Sequence, residues 1–335
     1  MSKKIVFSGI QPTGSVHFGN YFGALANWVE MQQHYNCYFC VVNYHAMTMP
    51  YQPKKLLEHT WQMAIDMLSI GIEPEHLFLQ SLVPEHTELN WILNCFTSYG
   101  QLGRMTQFKD KSQQSSTASE GFISAGLFDY PVLQTADILL YKADLVPVGK
   151  DQDQHLELTR DIAQRFNQQL GKEYFALPEA TYTEAPKILS TADPTRKMSK
   201  SAGEKHFISL FETEKRIEKQ IKSAVTDTGE VSNTMSPGVE NLFTLLRMAG
   251  GHEAHESLMK DHASGNLKYV DLKQATSDAL IAFNKPIIEK RSELMADRKK
   301  VKDQIKQSSY EIRKVAQETI KEVKQLAGLP NVRFT

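Results

Sequence analysis

Three cysteines in 335 residues are too few for a disulfide framework, which points to a reducing compartment, the cytoplasm. Cys37-Tyr38-Phe39-Cys40 has a metal-type spacing, but there is no second pair and Cys95 stands alone. In a strand, positions 37 and 40 would face opposite sides, so this segment reads as buried apolar strand and no metal ligands are assigned. Long apolar runs are also missing. Nothing approaches the roughly 20 residues that span a bilayer, and Met1-Ser2-Lys3-Lys4 leads into a strand rather than an export signal, so no membrane partner is expected. Net charge is nearly absent, at −1, which gives no global attraction to nucleic acid and no reason to expect DNA as a partner. Repeats and long low-complexity tracts are lacking. What remains is ordinary globular composition, 41% hydrophobic and 23% charged, over a length that suggests about two domains.

The small net charge hides an uneven spread. Between residues 281 and 335 there are 13 Lys or Arg against 7 Asp or Glu. A basic tail on a neutral chain is what a local nucleic-acid contact looks like, and a solvated helix face is the plain alternative.

Through the first two-thirds, short apolar runs alternate with longer amphipathic segments. Strands are expected at residues 5–10, 38–42, 77–80 and 145–148, and helices at 21–33, 53–69, 87–98, 132–140 and 153–167. That alternation predicts an α/β domain, a Rossmann-like doubly wound parallel sheet covered by helices, with ligands outside the strand carboxyl ends. From about Ser209 the pattern turns all-helical, with helices expected at 212–224, 241–248, 269–296 and from about 298 to 326. The polar stretch 113–121 reads as a loop.

Two segments carry the chemistry. Pro12-Thr13-Gly14-Ser15-Val16-His17-Phe18-Gly19-Asn20 follows the first strand and opens a helix. A strand, a glycine turn and a helix start aim backbone N–H groups and partial positive charge at one point, a setting that suits polyphosphate. Far downstream lies Lys197-Met198-Ser199-Lys200-Ser201, which alone would pass for a solvated loop.

Together with the helical coda, these segments resemble the class I aminoacyl-tRNA synthetases, most of all the bacterial tryptophanyl branch. The similarity runs over nearly the whole chain. It includes Phe7-Ser8-Gly9-Ile10-Gln11, Arg104-Met105-Thr106-Gln107, Ala136-Asp137-Ile138-Leu139-Leu140-Tyr141, Val146-Pro147-Val148-Gly149 and Ser223-Ala224-Val225-Thr226-Asp227. The resemblance implies activation of L-tryptophan by ATP, with pyrophosphate release, then transfer to the terminal adenosine of tRNA(Trp). It implies ATP as substrate, Mg²⁺ bound mainly through the ATP phosphates, and a homodimer. It also implies a catalytic domain over 1–205, with a dimerisation insertion near 85–140, and a helical anticodon-binding domain over 206–335.

By the same resemblance, Lys197 and Lys200 on a flexible loop, with Lys111 as a third, would neutralise the leaving phosphates, and Ser199 and Ser201 would add hydroxyls. Gln11, Thr13, His17, Gly19 and Asn20 would serve the phosphates. Gly149, Asp151, Ile188 and the Met198 backbone would hold ribose and adenine. Asp137 is an acid in an otherwise apolar helix, where burial without a partner is expensive. The family makes it the acceptor for the indole N–H, a donor-only group. Phe7, Val42, His45, Gln134 and Val148 would line the pocket, and Tyr130 and Gln152 would bind the α-ammonium. Apolar Trp91, Ile92, Phe96 and Tyr99 would supply the dimer interface. Lys299, Lys300 and Lys302 would meet tRNA phosphates.

The chain departs from the family pattern in four places. Gln134 stands where methionine is usual, Asn43 where aspartate is expected, Lys150 where the loop is commonly acidic, and the stretch 113–119 is longer. Gln134 and Lys150 are expected to alter affinity for tryptophan analogues. The competing readings are a tyrosyl-tRNA synthetase, a nucleotidyltransferase with a similar phosphate cradle, and an inactive tRNA-binding paralogue.

Overall fold

A computed structural model describes residues 3–109, 123–149, 152–182, 186–226 and 235–331. Lys111, Lys150, Asp151 and the stretch 113–119 lie outside the described residues. The chain divides into two compact units. The first comprises Met1–Gly14, Glu30–Thr183 and Arg298–Thr335; the second comprises Ser15–Val29 and Glu184–Asp297. These boundaries differ from a single cut after residue 205, because the last helix and the first helix each count with the unit remote from them in sequence.

The first unit is built on five parallel strands, β1 (Ile5–Ile10), β2 (Asn36–Val41), β3 (Leu77–Leu79), β4 (Leu145–Pro147) and β5 (Glu179–Thr181), in the order β3-β2-β1-β4-β5. The sheet is doubly wound as expected. Its order reverses between β1 and β4, the switch point at which such sheets bind ligands. Four strands fall where the apolar runs put them, and β5 was not among them. At three residues, Glu-Ala-Thr, it carries no apolar period to read.

The helices, in chain order, are α1 (Phe18–Asn20), α2 (Ala26–His34), α3 (Pro53–Ser69), α4 (Glu85–Asn94), α5 (Tyr99–Leu102), α6 (Ala125–Leu139), α7 (Asp153–Leu170), α8 (Glu214–Lys222), α9 (Pro237–Met248), α10 (His252–Ala263), α11 (Tyr269–Ala296) and α12 (Arg298–Leu326). A π-turn, Tyr21–Leu25, joins α1 to α2 without a break. Helix α6 starts a full turn and more before the expected residue 132. Ser124 caps it by accepting the Leu127 N–H at 3.1 Å, and the helix runs on through Pro131. α10 was also missed, since His-Glu-Ala-His-Glu-Ser-Leu-Met offers little apolar stripe.

Helix α12 does more than present charge. Its inward face, Ile312, Ala316, Ile320 and Val323, joins the core of the first unit with Phe78, Leu89 and Leu93. Ser308 donates to the Leu77 carbonyl at 2.6 Å and Ser309 accepts from the Leu79 N–H at 3.3 Å, so the helix covers the open edge of β3. Arg313 forms a two-pronged pair with Glu85 at 2.8 and 3.0 Å, and Lys324 meets Glu88 at 2.9 Å. Part of the basic tail is thus spent on α4 within the protein.

Candidate active site

In the second unit the two motifs that are remote in sequence come together. His17 bridges to Ser209 and Lys197 to Leu189. Met198 is buried, its N–H donating to the Ile188 carbonyl at 3.0 Å, and this pins the centre of the Lys-Met-Ser-Lys-Ser turn. Ser199 caps the short 3₁₀ turn Lys200–Ala202 and lies 2.8 Å from the Ser201 hydroxyl. The Lys200 ammonium donates to the Ser15 carbonyl at 2.9 Å. Gly19 is the contact point between the motifs. A Cβ there would lie 3.1 Å from both Met198 Cβ and His17 Nδ1, closer than ordinary packing allows.

His17 and Asn20 form a reciprocal cap. His17 Nδ1 accepts the Asn20 N–H at 3.1 Å, and Asn20 Oδ1 accepts the His17 N–H at 3.4 Å. The Phe18 N–H donates to the Ile208 carbonyl at 3.0 Å. Three backbone amides at this helix start, those of His17, Phe18 and Asn20, are therefore taken by the protein itself. Because Nδ1 accepts, the neutral His17 ring carries its proton on Nε2. Burial, then Lys200 and Lys197, push the His17 pKa down to about 4, so the ring is neutral at pH 7.

In the first unit, Gln11 leaves β1 and closes a tight turn, its carbonyl accepting the Thr13 N–H at 2.9 Å; Thr13 is exposed. Val148 follows β4, its N–H on the Thr181 carbonyl at 3.1 Å, and Gly149 accepts from the Gln152 N–H at 2.9 Å at the start of α7. Tyr130, Gln134 and Asp137 stand at i, i+4 and i+7 of α6 and so share one face. The Tyr130 hydroxyl lies 2.9 Å from His155 Nε2 and 3.3 Å from Gln107; burial raises its pKa to about 12, which keeps it protonated. Phe7 and Val42 are buried, with Phe7 stacked on Tyr141 at 5.7 Å.

Asp137 is only 1% exposed and richly partnered. Its Oδ2 meets His45 Nε2 at 2.8 Å, its Oδ1 meets His86 Nδ1 at 2.6 Å, and Gln80 Nε2 reaches both oxygens at 2.8 and 2.9 Å. Burial alone would raise this carboxyl's pKa, but the His86 and His45 rings outweigh it and hold the group well below the usual carboxylate range. A permanent anion sits in the interior, aimed from the helix that carries Tyr130 and Gln134.

Sequence reasoning singled out Asp137 and His45 but missed Gln80 and His86. Both carried a signal. Gln80 directly follows the apolar strand Leu77-Phe78-Leu79, and His86 opens a helix after Pro84.

Comparison with known proteins is consistent with this chemistry. The family model for class I tRNA synthetases (W and Y) matches residues 2–285. The chain is 43% identical over 333 residues to the tryptophan–tRNA ligase of Clostridium tetani, covering 98% of this chain and 96% of that one. Among solved structures it is similar to the tryptophanyl-tRNA synthetase of Campylobacter jejuni complexed with ADP and tryptophan, with 36% identity, a TM-score of 0.82, and 97% and 100% of the two chains covered. It is also similar to the Mycoplasma pneumoniae tryptophanyl-tRNA synthetase, with 32% identity, a TM-score of 0.85, and 98% and 99% covered.

Proposed function

The chain belongs to the class I tRNA synthetases of the tryptophan and tyrosine type, and on that premise we propose that it is a tryptophan–tRNA ligase. The observation that carries the choice of amino acid is the buried anion Asp137. A carboxylate only accepts, and an indole N–H only donates, whereas a phenol hydroxyl does both.

The tryptophan carboxylate attacks the α-phosphorus of ATP, a carboxyl–phosphate bond forms, and the bond to pyrophosphate breaks. The 2′-hydroxyl of the terminal adenosine of tRNA(Trp) then attacks the activated carbonyl, and AMP leaves. Such a reaction needs positioning and charge stabilisation more than covalent chemistry by the protein. Lys197 and Lys200, with Lys111, neutralise the departing phosphates, and Ser199 and Ser201 donate hydroxyls to them. His17, as a neutral Nε2–H donor, adds a hydrogen bond without a charge. Gln11, Thr13, Gly19 and Asn20 complete the phosphate contacts. Gly149, Asp151, Ile188 and Met198 receive the nucleoside. Tyr130 and Gln152 take the α-ammonium, and Phe7, Val42, His45, Gln134 and Val148 surround the ring. Mg²⁺, held mainly by the ATP phosphates, would offset their charge beside these lysines.

Two further readings rest on exposure and charge. Trp91 and Tyr99 are 74% and 81% exposed in the first unit, large apolar surfaces suited to a homodimer contact, whereas Ile92 and Phe96 are packed inward. Lys299 and Lys300 are exposed near the start of α12, and Lys302 lies 5.3 Å over the Trp61 ring, a basic and aromatic surface suited to tRNA. Few cysteines, none paired among those present, fit a cytoplasmic enzyme. No helix among the described residues is long and apolar enough to cross a membrane.

Charging of a tRNA(Trp) transcript by radiolabelled tryptophan tests the proposal. Esterified tryptophan in the presence of ATP is the expected result. Charging of tRNA(Tyr) with tyrosine, or of neither, would overturn it.

A further inference from the structure

Four donor contacts reach the Asp137 carboxylate, two on each oxygen, and a carboxylate offers about four lone-pair sites. Three buried donor groups thus crowd the acceptor, with Gln80 Nε2 shared between its two oxygens. An incoming ring N–H competes with these donors for the same two oxygens. The three partner side chains are not equally replaceable. Gln80 and His86 are both 0% exposed, and each is tied at its far end. Gln80 Oε1 accepts the Tyr44 N–H at 3.0 Å. His86 Nε2 lies 2.9 Å from the Tyr141 hydroxyl, and its ring stacks on Phe78 at 5.8 Å. Tyr141 is in turn stacked against Phe7 and, at 4.7 Å, Tyr38. His86 thus faces the acid with Nδ1 and the Tyr141 hydroxyl with Nε2, so a buried line of polar contacts runs from Tyr141 through His86 to Asp137. His45 differs. It stands on the single 3₁₀ turn His45–Thr48, retains 6% exposure and meets Tyr130 edge-on at 6.3 Å.

We propose that His86 and Gln80 are positioning residues that fix the ring-selecting acid, while His45 is a replaceable donor whose place on Asp137 Oδ2 the substrate's ring N–H takes. This rests on the tryptophan reading above and adds the source of its selectivity. A ring with an N–H exchanges one hydrogen bond for another. A ring of the same shape without one displaces His45 and leaves a buried anion short of a donor, the costly case for a desolvated group.

The test compares tryptophan with 3-(3-benzothienyl)alanine, which has sulfur in place of the ring N–H, in amino-acid-dependent pyrophosphate exchange. In the wild-type protein, kcat/KM should favour tryptophan strongly. His86→Phe keeps the ring stack and removes the donor; the preference should fall by about 10- to 100-fold with the KM for ATP unchanged. Tyr141→Phe, which removes only the far anchor, should lower it less. Should His86→Phe fail to fold, Tyr141→Phe and the wild-type spectrum still decide. The His45 ring ¹⁵N resonances of the wild-type protein should shift on saturation with tryptophan to those of a ring that has lost its carboxylate partner. An unchanged substrate preference in a folded His86→Phe protein, or a His45 signal indifferent to tryptophan, would overturn the inference. Absence of tryptophan-dependent exchange in the wild-type protein would instead overturn the assignment of function.

Discussion

His17 can be titrated in place, and its environment sets the size of the effect. The free imidazole value is 6.5, and burial with Lys200 and Lys197 nearby brings it down to about 4. Between those two pH values the unfolded chain binds a proton that the folded chain refuses, so stability rises with pH across that window. The contribution is complete above pH 6.5 and is lost as pH falls toward 4. Its slope is up to about 1.4 kcal/mol per pH unit, and its total is on the order of 3 kcal/mol. His17→Asn isolates the effect, because asparagine caps a helix well yet does not titrate. Denaturation of the two proteins from pH 7 to pH 5 should show the wild type losing roughly 2 kcal/mol relative to the variant. Long-range ¹H–¹⁵N spectra should show His17 with its proton on Nε2 at pH 7. Adding ATP places anionic oxygens near the ring and should raise the midpoint, with proton uptake on binding. A His17 midpoint near 6.5 in the free protein, or a proton on Nδ1, would refute this account of the phosphate end.

Other predictions follow from single contacts. Gly19→Ala should raise the KM for ATP about tenfold or more while leaving tryptophan binding intact, since the new methyl meets Met198 Cβ and His17 Nδ1 at 3.1 Å; unchanged ATP kinetics would show that the motif contact is slack. Trp91→Asp combined with Tyr99→Asp should shift sedimentation equilibrium from dimer to monomer, and an unaltered mass would remove that surface as the interface. Neutralising Lys299, Lys300 and Lys302 together should flatten the salt dependence of tRNA affinity by about 0.7–0.9 log units per lost phosphate contact, and an unchanged slope would leave those lysines without that role.

The sheet and most helices were legible because buried parallel strands and amphipathic helices write their period into the sequence. The elements that escaped did so for physical reasons. β5 is three residues of mixed polarity, and α10 has a single well-buried residue, Leu258. The basic tail was read for its charge, yet α12 also carries Ser308, Ser309 and an apolar stripe that cover β3, a use visible only once the strand edge is present. In the site, Asp137 was legible because an acid inside an apolar helix demands an explanation. Its partners were not, since His86 and Gln80 lie 51 and 57 residues away and nothing in local spacing connects them. The helix start at Phe18 has a use that its spacing does not show. Its sequence advertises free amides, and the folded chain uses three of them on Ile208, His17 and Asn20.

The central claim is that a fixed buried anion chooses the amino acid for activation by ATP. Exchange of labelled pyrophosphate into ATP, run with tryptophan, tyrosine and phenylalanine on the wild-type protein and on Asp137→Asn, tests it most directly. Exchange with tryptophan alone, falling by about 10- to 100-fold in kcat/KM in the variant, is the predicted result. Equal exchange in both proteins, or exchange driven by tyrosine, would contradict it.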